Sequence, residues 1–551
     1  MNSFLCNVAQ NYFDYLEKFD KGYESIKIKF ITQNIFGIAI HLAYKLKSTE
    51  NLALRTKLGD FVLDEKGEIS ISSYDENTKT IYLNVDSKLK DKIFKIKDSI
   101  ELVADLKFLV KNVYDFFSQN HPLFLPQNKP ELNPDIDNLK SLKIPPNKEQ
   151  LEALKGIFNT PFCYIWGVAG SGKTKVVLLH ALAFYLKAGL KVAILAPTNN
   201  ALEQCLSTLI INLNSIGYST DTILRLGTPS QSFAENFPRN CDAVLKENPQ
   251  DYKEKIQKVQ IMAMTLDTFL RRSDVQSIEF SHYFVDEAAF APLIKILPLC
   301  AFNAPLTLLG DHKQLQPICV LEQNHAKMQE WNLSKFWQYS SLFVESFLKL
   351  KDNFENFLNT ESEIPPTISN QFSLNQTYRY GDNVAKLLDF YIYKNNLKGL
   401  QATTEIYHIN TKQDKIKLDK ANLQEALMCR SLAEDFIING VEFAILTPFV
   451  NQRKLILEKA PALALRECVF TIHAAQGQEF DFILFSPVEL HYYLSNSNNK
   501  NALFALNVAI SRAKKGIILI SHLPYWLQQK GQFLCDLARI SKPFSLANIT
   551  K

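Results

Sequence analysis

The stretch "FCYIWGVAGSGKT", residues 162–174, decides the fold of this chain. Its first five residues are an apolar run typical of a buried strand, and residues 167–174 fit the pattern G-x-x-x-x-G-K-[ST]. The residues from 173 to 189 have an apolar helical pattern that ends at Gly189, a common residue at helix ends. The sequence therefore predicts a strand, a glycine-rich loop and a helix, in the order that a phosphate-binding loop requires.

This loop predicts a site for a nucleoside triphosphate with Mg²⁺. The backbone N–H groups of the loop and the start of the helix would surround the phosphates. Lys173 would add positive charge at the β- and γ-phosphates, and the hydroxyl of Thr174 would bind Mg²⁺. The other predicted binding residues form the loop itself: Gly167, Val168, Ala169, Gly170, Ser171 and Gly172.

An acidic pair in "VDEAAF" (285–290) follows another apolar run. Asp286 would hold Mg²⁺ through its outer coordination shell, and Glu287 would orient or deprotonate the attacking water. Acidic pairs also occur in many surface turns. Here the phosphate loop upstream and "LLGDHKQLQP" (308–317) downstream favour the catalytic interpretation.

Apolar strands alternate with helical segments in two successive blocks of the chain. This alternation predicts parallel sheets with helices on both faces and active groups at the carboxyl ends of the strands. The second block has no phosphate loop of its own, so we expect a site at the interface of the two. Strands are predicted at 191–196, 282–287 and 305–311 in the first block, and at 442–448, 469–473, 482–486 and 516–521 in the second.

These blocks define the predicted domain organisation. We expect α/β domains at 144–321 and 367–551, joined by a helical linker at 322–366 that contains "SSLFVESFL" (340–348). Residues 1–143 carry no chemical motif and form an accessory region.

The accessory region has its own pattern. Alternating β-branched and polar residues predict a small antiparallel β unit at 61–86, and helical periodicity covers 99–117. A Pro-rich passage at 121–135 is typical of a linker. Five lysines in "KLKDKIFKIK" (88–97) favour a solvated helix face, with contact to phosphates as the alternative.

Composition and charge add few constraints. A length of 551 residues is enough for about three or four domains, and the net charge of +4 is too small to indicate a nucleic-acid partner by itself. The nine cysteines are scattered without zinc or disulfide spacing, which predicts reduced thiols. We see no secretion signal and no apolar run long enough to span a membrane, so we expect a cytoplasmic protein.

Taken in order, the motifs over about 145–521 resemble those of superfamily 1 helicases, in the branch of the RNA-surveillance helicase and its DNA- and tRNA-processing relatives. The similar segments are "PNKEQ" (146–150), "APTNNALE" (196–203), "AMT" (263–265), "GDHKQLQP" (310–317), "LNQTYRY" (374–380), "TPFVNQ" (447–452), "TIHAAQGQEFD" (471–481) and "NVAISRAK" (507–514). The resemblance implies two RecA-like domains that use ATP hydrolysis to move 5′ to 3′ along single-stranded or forked nucleic acid. It also implies that the N-terminal region holds a stalk and a small β-barrel.

The same resemblance assigns roles at the ATP site. Gln150 would read the adenine, Tyr378 would stack on it, and Glu479 would bind the ribose. Gln314 would sense the γ-phosphate from the first domain. Arg379 and Arg512 would contact the γ-phosphate from the second domain.

Nucleic-acid contacts are also implied by the resemblance. The residues concerned are small, and they follow predicted strands: Pro197, Thr198, Asn199, Thr265 and Thr471. Small polar residues at such positions also cap helices or form turns, so that alternative stays open.

Three departures from the family pattern concern the branch more than the mechanism. Thr377 replaces a glutamine, Tyr380 replaces a methionine, and "DEAA" stands for "DEAS" or "DEAG". The UvrD/Rep branch has D-E-x-Q-D and a large insertion, whereas the 97 positions between Arg379 and Gln476 (476 − 379) leave no room for one. The RecD/Pif-type branch stays open.

Two other functions are compatible with the same ATP motifs. One is a nucleic-acid-regulated ATPase switch that remodels a complex without unwinding. The other is a signalling or defence ATPase whose partner is a protein. The motifs do not distinguish DNA from RNA, because they contact mainly backbone and stacked bases. We find no nuclease or zinc pattern and predict no cleavage activity.

Overall fold

A computed structural model of the protein describes most of the chain. The described residues are 1–33, 37–43, 46, 52–63, 68–75, 78–105, 107–136, 145–245, 250, 255, 258–317, 319, 335–349, 368–401, 403–412, 419–466, 468–496 and 500–546. Much of the predicted linker, at 322–334 and 350–366, lies outside them. Within these ranges no helix is both long enough and apolar enough to cross a membrane.

The N-terminal region contains two antiparallel sheets of four strands around a shared apolar core. The strand orders are β1-β8-β4-β5 and β2-β3-β7-β6. The strands are β1 (Tyr23–Ile26), β2 (Ile28–Gln33), β3 (Gly37–Leu42), β4 (Leu52–Thr56), β5 (Gly59–Val62), β6 (Ile69–Asp75), β7 (Thr80–Val85) and β8 (Glu101–Asp105). The predicted antiparallel β unit is confirmed and is part of a larger β structure.

The predicted helix at 99–117 is wrong in its first half. Residues Glu101–Asp105 form β8, and the helix covers only Lys107–Ser118. Pairing of β8 with both β1 and β4 explains the difference, because it buries Leu102 and Val103 in a sheet. Tertiary pairing here overrides a local pattern that fits either structure.

Helices Asn2–Lys18 and Lys107–Ser118 pack against each other and connect the β region to the first α/β domain. The ring of Tyr12 lies 4.9 Å from that of Trp337, between ring centroids, and Phe4 lies 5.4 Å from Phe336. The N-terminal helix is therefore anchored on the short helix Lys335–Gln338.

Seven parallel strands form the first α/β sheet, in the order β11-β12-β10-β13-β14-β9-β15. Six of these strands, β9 to β14, are buried along their whole length, and all of them except the short β11 therefore appear in the sequence as apolar runs. The strands are β9 (Phe162–Gly167), β10 (Val192–Ala196), β11 (Ile223–Arg225), β12 (Ile261–Thr265), β13 (His282–Val285), β14 (Leu306–Gly310) and β15 (Gln371–Leu374).

The last strand of this sheet lies beyond the predicted domain boundary. β15 pairs with β9 in parallel, from Gln371 opposite Tyr164 to Leu374 opposite Gly167. The first sheet therefore includes residues that the sequence placed in the second domain at 367. A four-residue edge strand gives little sequence signal, and its register is set by the partner strand.

The second α/β domain has a sheet of six parallel strands in the order β20-β19-β21-β22-β18-β23, with a separate parallel pair of β16 and β17 beside it. The strands are β16 (Gln376–Gly381), β17 (Lys398–Gln401), β18 (Glu405–Asn410), β19 (Phe443–Thr447), β20 (Val469–Thr471), β21 (Phe480–Phe485), β22 (Ala513–Ser521) and β23 (Lys542–Pro543). The predicted fold class, α/β with two parallel sheets and an accessory β region, is confirmed.

Helices lie on both faces of the two sheets. The helix after the phosphate loop begins with a π turn, Lys173–Leu178, continues as Leu179–Ala188 and ends at Gly189, as predicted. The other α-helices are Ser87–Lys95, Lys148–Asn159, Asn199–Ser215, Gln231–Asn236, Asp242–Leu245, Leu266–Arg271, Ser273–Gln276, Leu293–Ile296, Val344–Lys349, Asp382–Leu388, Leu423–Ile438, Val450–Lys459, Ala462–Arg466, Lys500–Ser511, Leu523–Gln528 and Phe533–Ile540.

Candidate active site

Opposite ends of the two sheets meet at the cleft between the domains. In the first domain, the phosphate loop, Asp286 and Asp311 follow the carboxyl ends of the neighbouring strands β9, β13 and β14. In the second domain, Glu479 and Arg512 precede the amino ends of the neighbouring strands β21 and β22. The topology thus brings acidic and phosphate-binding groups of one domain toward an arginine-bearing edge of the other.

The phosphate loop adopts the conformation that its glycines permit. Gly170 and Gly172 have φ angles of 78° and 86°, which L side chains rarely adopt. The Nζ of Lys173 donates hydrogen bonds to the carbonyls of Gly167 at 2.5 Å and Val168 at 3.3 Å. The ammonium group therefore already lies over the loop, where incoming phosphates would exchange with these carbonyls.

Thr174 and Asp286 are joined directly. The Thr174 hydroxyl donates a hydrogen bond to Oδ2 of Asp286 at 3.1 Å, and the backbone N–H of Glu287 donates to Oδ1 at 3.0 Å. Oxygen donors of this kind are those that Mg²⁺ prefers, and the triphosphate would supply more of them. The two residues fit a Mg²⁺ ion held together with ATP.

Glu287 has an unusual backbone and an unusual environment. Its φ of 51° lies in the left-handed region, which is uncommon for a residue other than glycine. Burial raises its pKa, and the Asp286 carboxylate raises it further, whereas Lys173 and Arg512 oppose the rise. A half-buried carboxylate with a raised pKa suits a residue that accepts a proton from water.

Gln314 and Arg512 form a direct bond between the two domains. An Nη of Arg512 donates to Oε1 of Gln314 at 2.9 Å, and Nε2 of Gln314 donates to Asp311 at 3.1 Å. Burial, followed by the nearby Arg379, lowers the pKa of Arg512 to about 10, so the guanidinium stays charged at neutral pH. The structure thus places two of the predicted γ-phosphate residues in contact.

Arg379 lies on β16 and contacts other parts of the second domain. It donates to the carbonyl of Ser511 at 3.0 Å and forms an ion pair with Glu479. Arg379 therefore lies beside Arg512, while Glu479, the predicted ribose ligand, is paired with an arginine. Nucleotide binding would have to rearrange this pair if both residues contact ATP.

The beginning of β16 is bonded to the phosphate loop. The hydroxyl of Thr377 donates to the carbonyl of Ala169 at 2.8 Å, and the N–H of Tyr378 donates to the carbonyl of Gly170 at 2.9 Å. Thr377 is one of the departures from the family pattern, and it is fully buried. A short hydroxyl side chain at this position binds the loop directly.

Gln150 and Tyr378 lie at the predicted adenine end of the cleft. Gln150 is buried, accepts from the backbone N–H of Asn147 at 2.8 Å and donates to the carbonyl of Ser171 at 2.9 Å. It forms a capping box at the start of helix Lys148–Asn159. Tyr378 is 47% exposed, and its hydroxyl accepts from the side chain of Asn147 at 3.0 Å. Base recognition by these residues stays a prediction.

A cleft of about 1140 Å³ unites these groups and is large enough for a nucleoside triphosphate. The predicted site residues that line it come from both domains: Gln150, Ala169, Gly170, Ser171, Gly172, Lys173, Thr174, Asp286, Glu287, Gln314, Tyr378, Arg379, Glu479 and Arg512.

The predicted nucleic-acid residues are not among those that line this cleft; they lie at the carboxyl ends of β10, β12 and β20. Thr198 and Thr265 cap helices by accepting from the N–H groups of Ala201 and Thr268. Asn199 accepts from the buried Arg225 at 3.0 Å. Pro197 and Thr471 are partly exposed. The hydroxyls of Thr198 and Thr265 therefore cap helices, which was the alternative interpretation. Contact of these residues with nucleic acid stays a prediction.

One buried network was missed by the sequence interpretation. Asp311 accepts from Trp166 at 3.1 Å and from the hydroxyl of Tyr393 at 2.6 Å. Asn507 donates to Tyr393 at 2.7 Å and to the carbonyl of Lys313 at 2.8 Å. Asp311 and Asn507 lie within recognised motifs, but Tyr393 carries no sequence signal. Burial and Asp311 raise the pKa of Tyr393, which keeps it a donor.

Comparison with known proteins supports this description. Models described as an AAA domain match residues 145–338 and 352–523. The chain is 25% identical over 424 residues to regulator of nonsense transcripts 1 of Dictyostelium discoideum, covering 68% of this chain and 31% of that protein. It is 23% identical over 409 residues to DNA replication ATP-dependent helicase/nuclease dna2 of Schizosaccharomyces pombe, covering 68% and 28%.

The chain thus spans less than a third of the length of these curated relatives. A crystal structure of arterivirus nonstructural protein 10 (helicase) aligns at 13% identity and a TM-score of 0.39, covering 94% of this chain and 79% of that one.

The two parallel sheets and the phosphate loop define a P-loop protein with two RecA-like domains. With its ordered motifs and the matches in both domains, the chain is similar to the superfamily 1 helicases, in agreement with the resemblance found in the sequence.

Proposed function

We propose that the protein is an ATP-dependent helicase or translocase that moves along a single strand of nucleic acid. The hydrogen bond between Gln314 of the first domain and Arg512 of the second carries this proposal. It lies in the cleft beside Glu287 and the phosphate loop, so the presence of a γ-phosphate there would directly change a contact between the domains. ATP hydrolysis would thereby be coupled to domain movement.

The side chains divide the chemistry of hydrolysis between them. Lys173 and the loop N–H groups would hold the phosphates, while Thr174 and Asp286 would hold Mg²⁺. Bound Mg²⁺ neutralises charge on the phosphate oxygens. Glu287 would orient the attacking water and accept its proton. Arg512 would stabilise the charge that develops during transfer.

The nucleic acid would follow the carboxyl edges of the two sheets, next to the cleft in the first domain and away from it in the second. Thr198 and Thr265 in the first domain and Thr471 in the second all end or follow strands at carboxyl edges. A strand crossing both domains there would be gripped alternately as the cleft closes on ATP and opens after hydrolysis. Movement 5′ to 3′ rests on the family resemblance.

The decisive experiment measures ATPase activity with matched single-stranded DNA and RNA, and then separation of forked duplexes with a 5′ or a 3′ tail. We expect stimulation by at least one nucleic acid and faster opening from the 5′ tail. Stimulation without strand separation would instead indicate an ATPase switch. No stimulation by either nucleic acid would contradict the proposal and favour a signalling or defence ATPase with a protein partner.

A further inference from the structure

Three consecutive aromatic residues form a cluster of closely spaced, mutually tilted rings on the surface of the second domain. The ring centroids of Tyr492 and Tyr493 are 4.0 Å apart, and that of His491 lies 4.3 Å from Tyr492 and 5.1 Å from Tyr493. Tyr492 is 57% exposed and Tyr493 is 46% exposed. Large aromatic side chains that lie next to each other and are exposed to solvent indicate a binding surface.

The backbone that carries these rings is firmly held. Val488 has a φ of 63°, a strained conformation for a β-branched residue. Its N–H donates to the buried carboxylate of Glu425 at 3.1 Å, which also accepts from the hydroxyl of Ser486 at 2.6 Å. Further along, the N–H of Leu490 donates to the hydroxyl of Tyr525 at 3.0 Å. Strain that is maintained by such bonds is common at functional sites.

The position of the cluster connects it to the expected path of nucleic acid. The segment follows β21 at the carboxyl edge of the second sheet, the edge at which β19 ends in Thr447 and β20 ends in Thr471. The His491 ring also lies 5.7 Å from that of Phe449, in an edge-to-face arrangement. Phe449 belongs to "TPFVNQ", one of the segments that resemble helicase motifs.

We propose that Tyr492 and Tyr493, supported by His491, form a stacking surface for unpaired bases of the single strand. This inference rests on the proposed function. Every base has a π face, so stacking on tyrosine tolerates any sequence, as a translocating protein requires. Because the exposed Glu489 in the same segment would repel phosphates, contact at this place is expected through the bases.

The hydroxyl groups are consistent with such a surface. The hydrogen bond with Tyr493 and partial burial raise the pKa of Tyr492 to about 12. That hydroxyl therefore stays neutral at physiological pH and adds no negative charge beside a polyanion.

The test compares binding of a normal oligonucleotide with binding of one that contains several abasic positions. The full chain is measured without nucleotide, as wild type, as the Tyr492→Ala/Tyr493→Ala double variant and as the Tyr492→Phe/Tyr493→Phe variant. Phe390→Ala is the matched control, because Phe390 is 71% exposed in the same domain but outside the cluster. Basal ATPase activity and thermal unfolding establish that each variant is folded.

We expect the double alanine variant to bind the normal oligonucleotide about 5- to 100-fold more weakly for each base that stacks. It should lose the difference between normal and abasic oligonucleotides, whereas the phenylalanine variant and Phe390→Ala should retain it. Unchanged binding in the double alanine variant, or sensitivity to abasic sites that survives in it, would overturn the inference and leave a protein partner as the occupant. Wild-type ATPase activity that no nucleic acid stimulates would instead reject the proposed function.

Discussion

The two α/β domains share one architecture but use opposite edges of it. Both have parallel sheets of buried strands, yet the first turns its carboxyl edge to the cleft and the second turns its amino edge. The first domain supplies the loop, Asp286 and Glu287, and the second supplies Arg379 and Arg512. If these residues act as proposed, neither domain alone has a complete hydrolytic site, and the carboxyl edge of the second sheet, which does not face the cleft, would be available to another ligand.

The largest effect is expected from the first domain, in Glu287→Gln. Turnover of ATP should fall about 10²- to 10⁴-fold, because the amide cannot accept the proton of water. ATP affinity should stay within a few-fold of wild type, because the phosphate loop is intact. Steady-state ATPase assays and nucleotide-binding titrations test this, with Glu434→Gln on an exposed helix face as the control. Near-normal turnover would remove Glu287 from the mechanism.

The raised pKa of Glu287 gives the same residue a pH signature. Its proton-accepting form disappears as the pH falls through a pKa above the ordinary carboxylate range, which is about 4.3 for glutamate. Turnover at saturating ATP should therefore decline on acidification at a higher pH than an unperturbed carboxylate predicts. A pH–rate profile that stays flat down to the ordinary range would contradict this role.

The corresponding test of the second domain is Arg512→Ala. Nucleic-acid-stimulated turnover should fall about 10²-fold or more, because the charge that develops during transfer loses its partner, while ATP still binds within a few-fold. Strand separation should be lost, and nucleotide-free binding of a single strand should survive. Arg430→Ala, on an exposed helix face, is the control. A large loss of ATP affinity in a folded Arg512→Ala variant would show that Arg512 binds ATP in the ground state. It would contradict the proposal that the first domain binds the phosphates and the second stabilises the transition state.

A smaller effect is expected where the domains are bonded through Tyr393. Tyr393→Phe removes a donor to the buried Asp311 and should lower the free energy of unfolding by about 1–3 kcal/mol. Tyr391→Phe is a matched control, because Tyr391 also donates to an aspartate, Asp536, but within the second domain and nearer the surface. Urea unfolding measures both. Equal decreases in the free energy of unfolding would show that the hydrogen bond between the domains stabilises the protein no more than the bond within the second domain.

The smallest effect concerns the lysine run of the N-terminal region. Lys92 and Lys95 are exposed on helix Ser87–Lys95, and Lys90 is partly exposed. Replacing these three by glutamine should leave the salt dependence of nucleic-acid binding unchanged if they form a solvated face. A log–log slope reduced by about 0.7 per lysine would show phosphate contacts and would extend the nucleic-acid path beyond the two α/β domains.

Sequence patterns were sufficient where one local signal fixes one structure. The phosphate loop required glycines at defined positions, and fully buried strands such as β10 appear as apolar runs. They were insufficient where distant residues decide the outcome. β8 and β15 are strands because of their partners, and Tyr393 is recognised only when Asp311 lies beside it. The sequence gives no signal for the cluster at His491–Tyr493, because the solvent exposure of a ring cannot be inferred from its neighbours in the chain.

A single residue, Asn375, separates the last strand of the first sheet from the first strand of the second domain. So short a connection keeps the two domains together at this point, so a domain movement driven by ATP would have to be a rotation about it. The pivot lies beside the phosphate loop, since Thr377 and Tyr378 are bonded to it. A small rotation of one domain relative to the other at the nucleotide would therefore produce a larger displacement of residues that are distant from Asn375. Under the proposed function, the length of each step along the strand would depend on the distance from Asn375 to the surface that binds the strand.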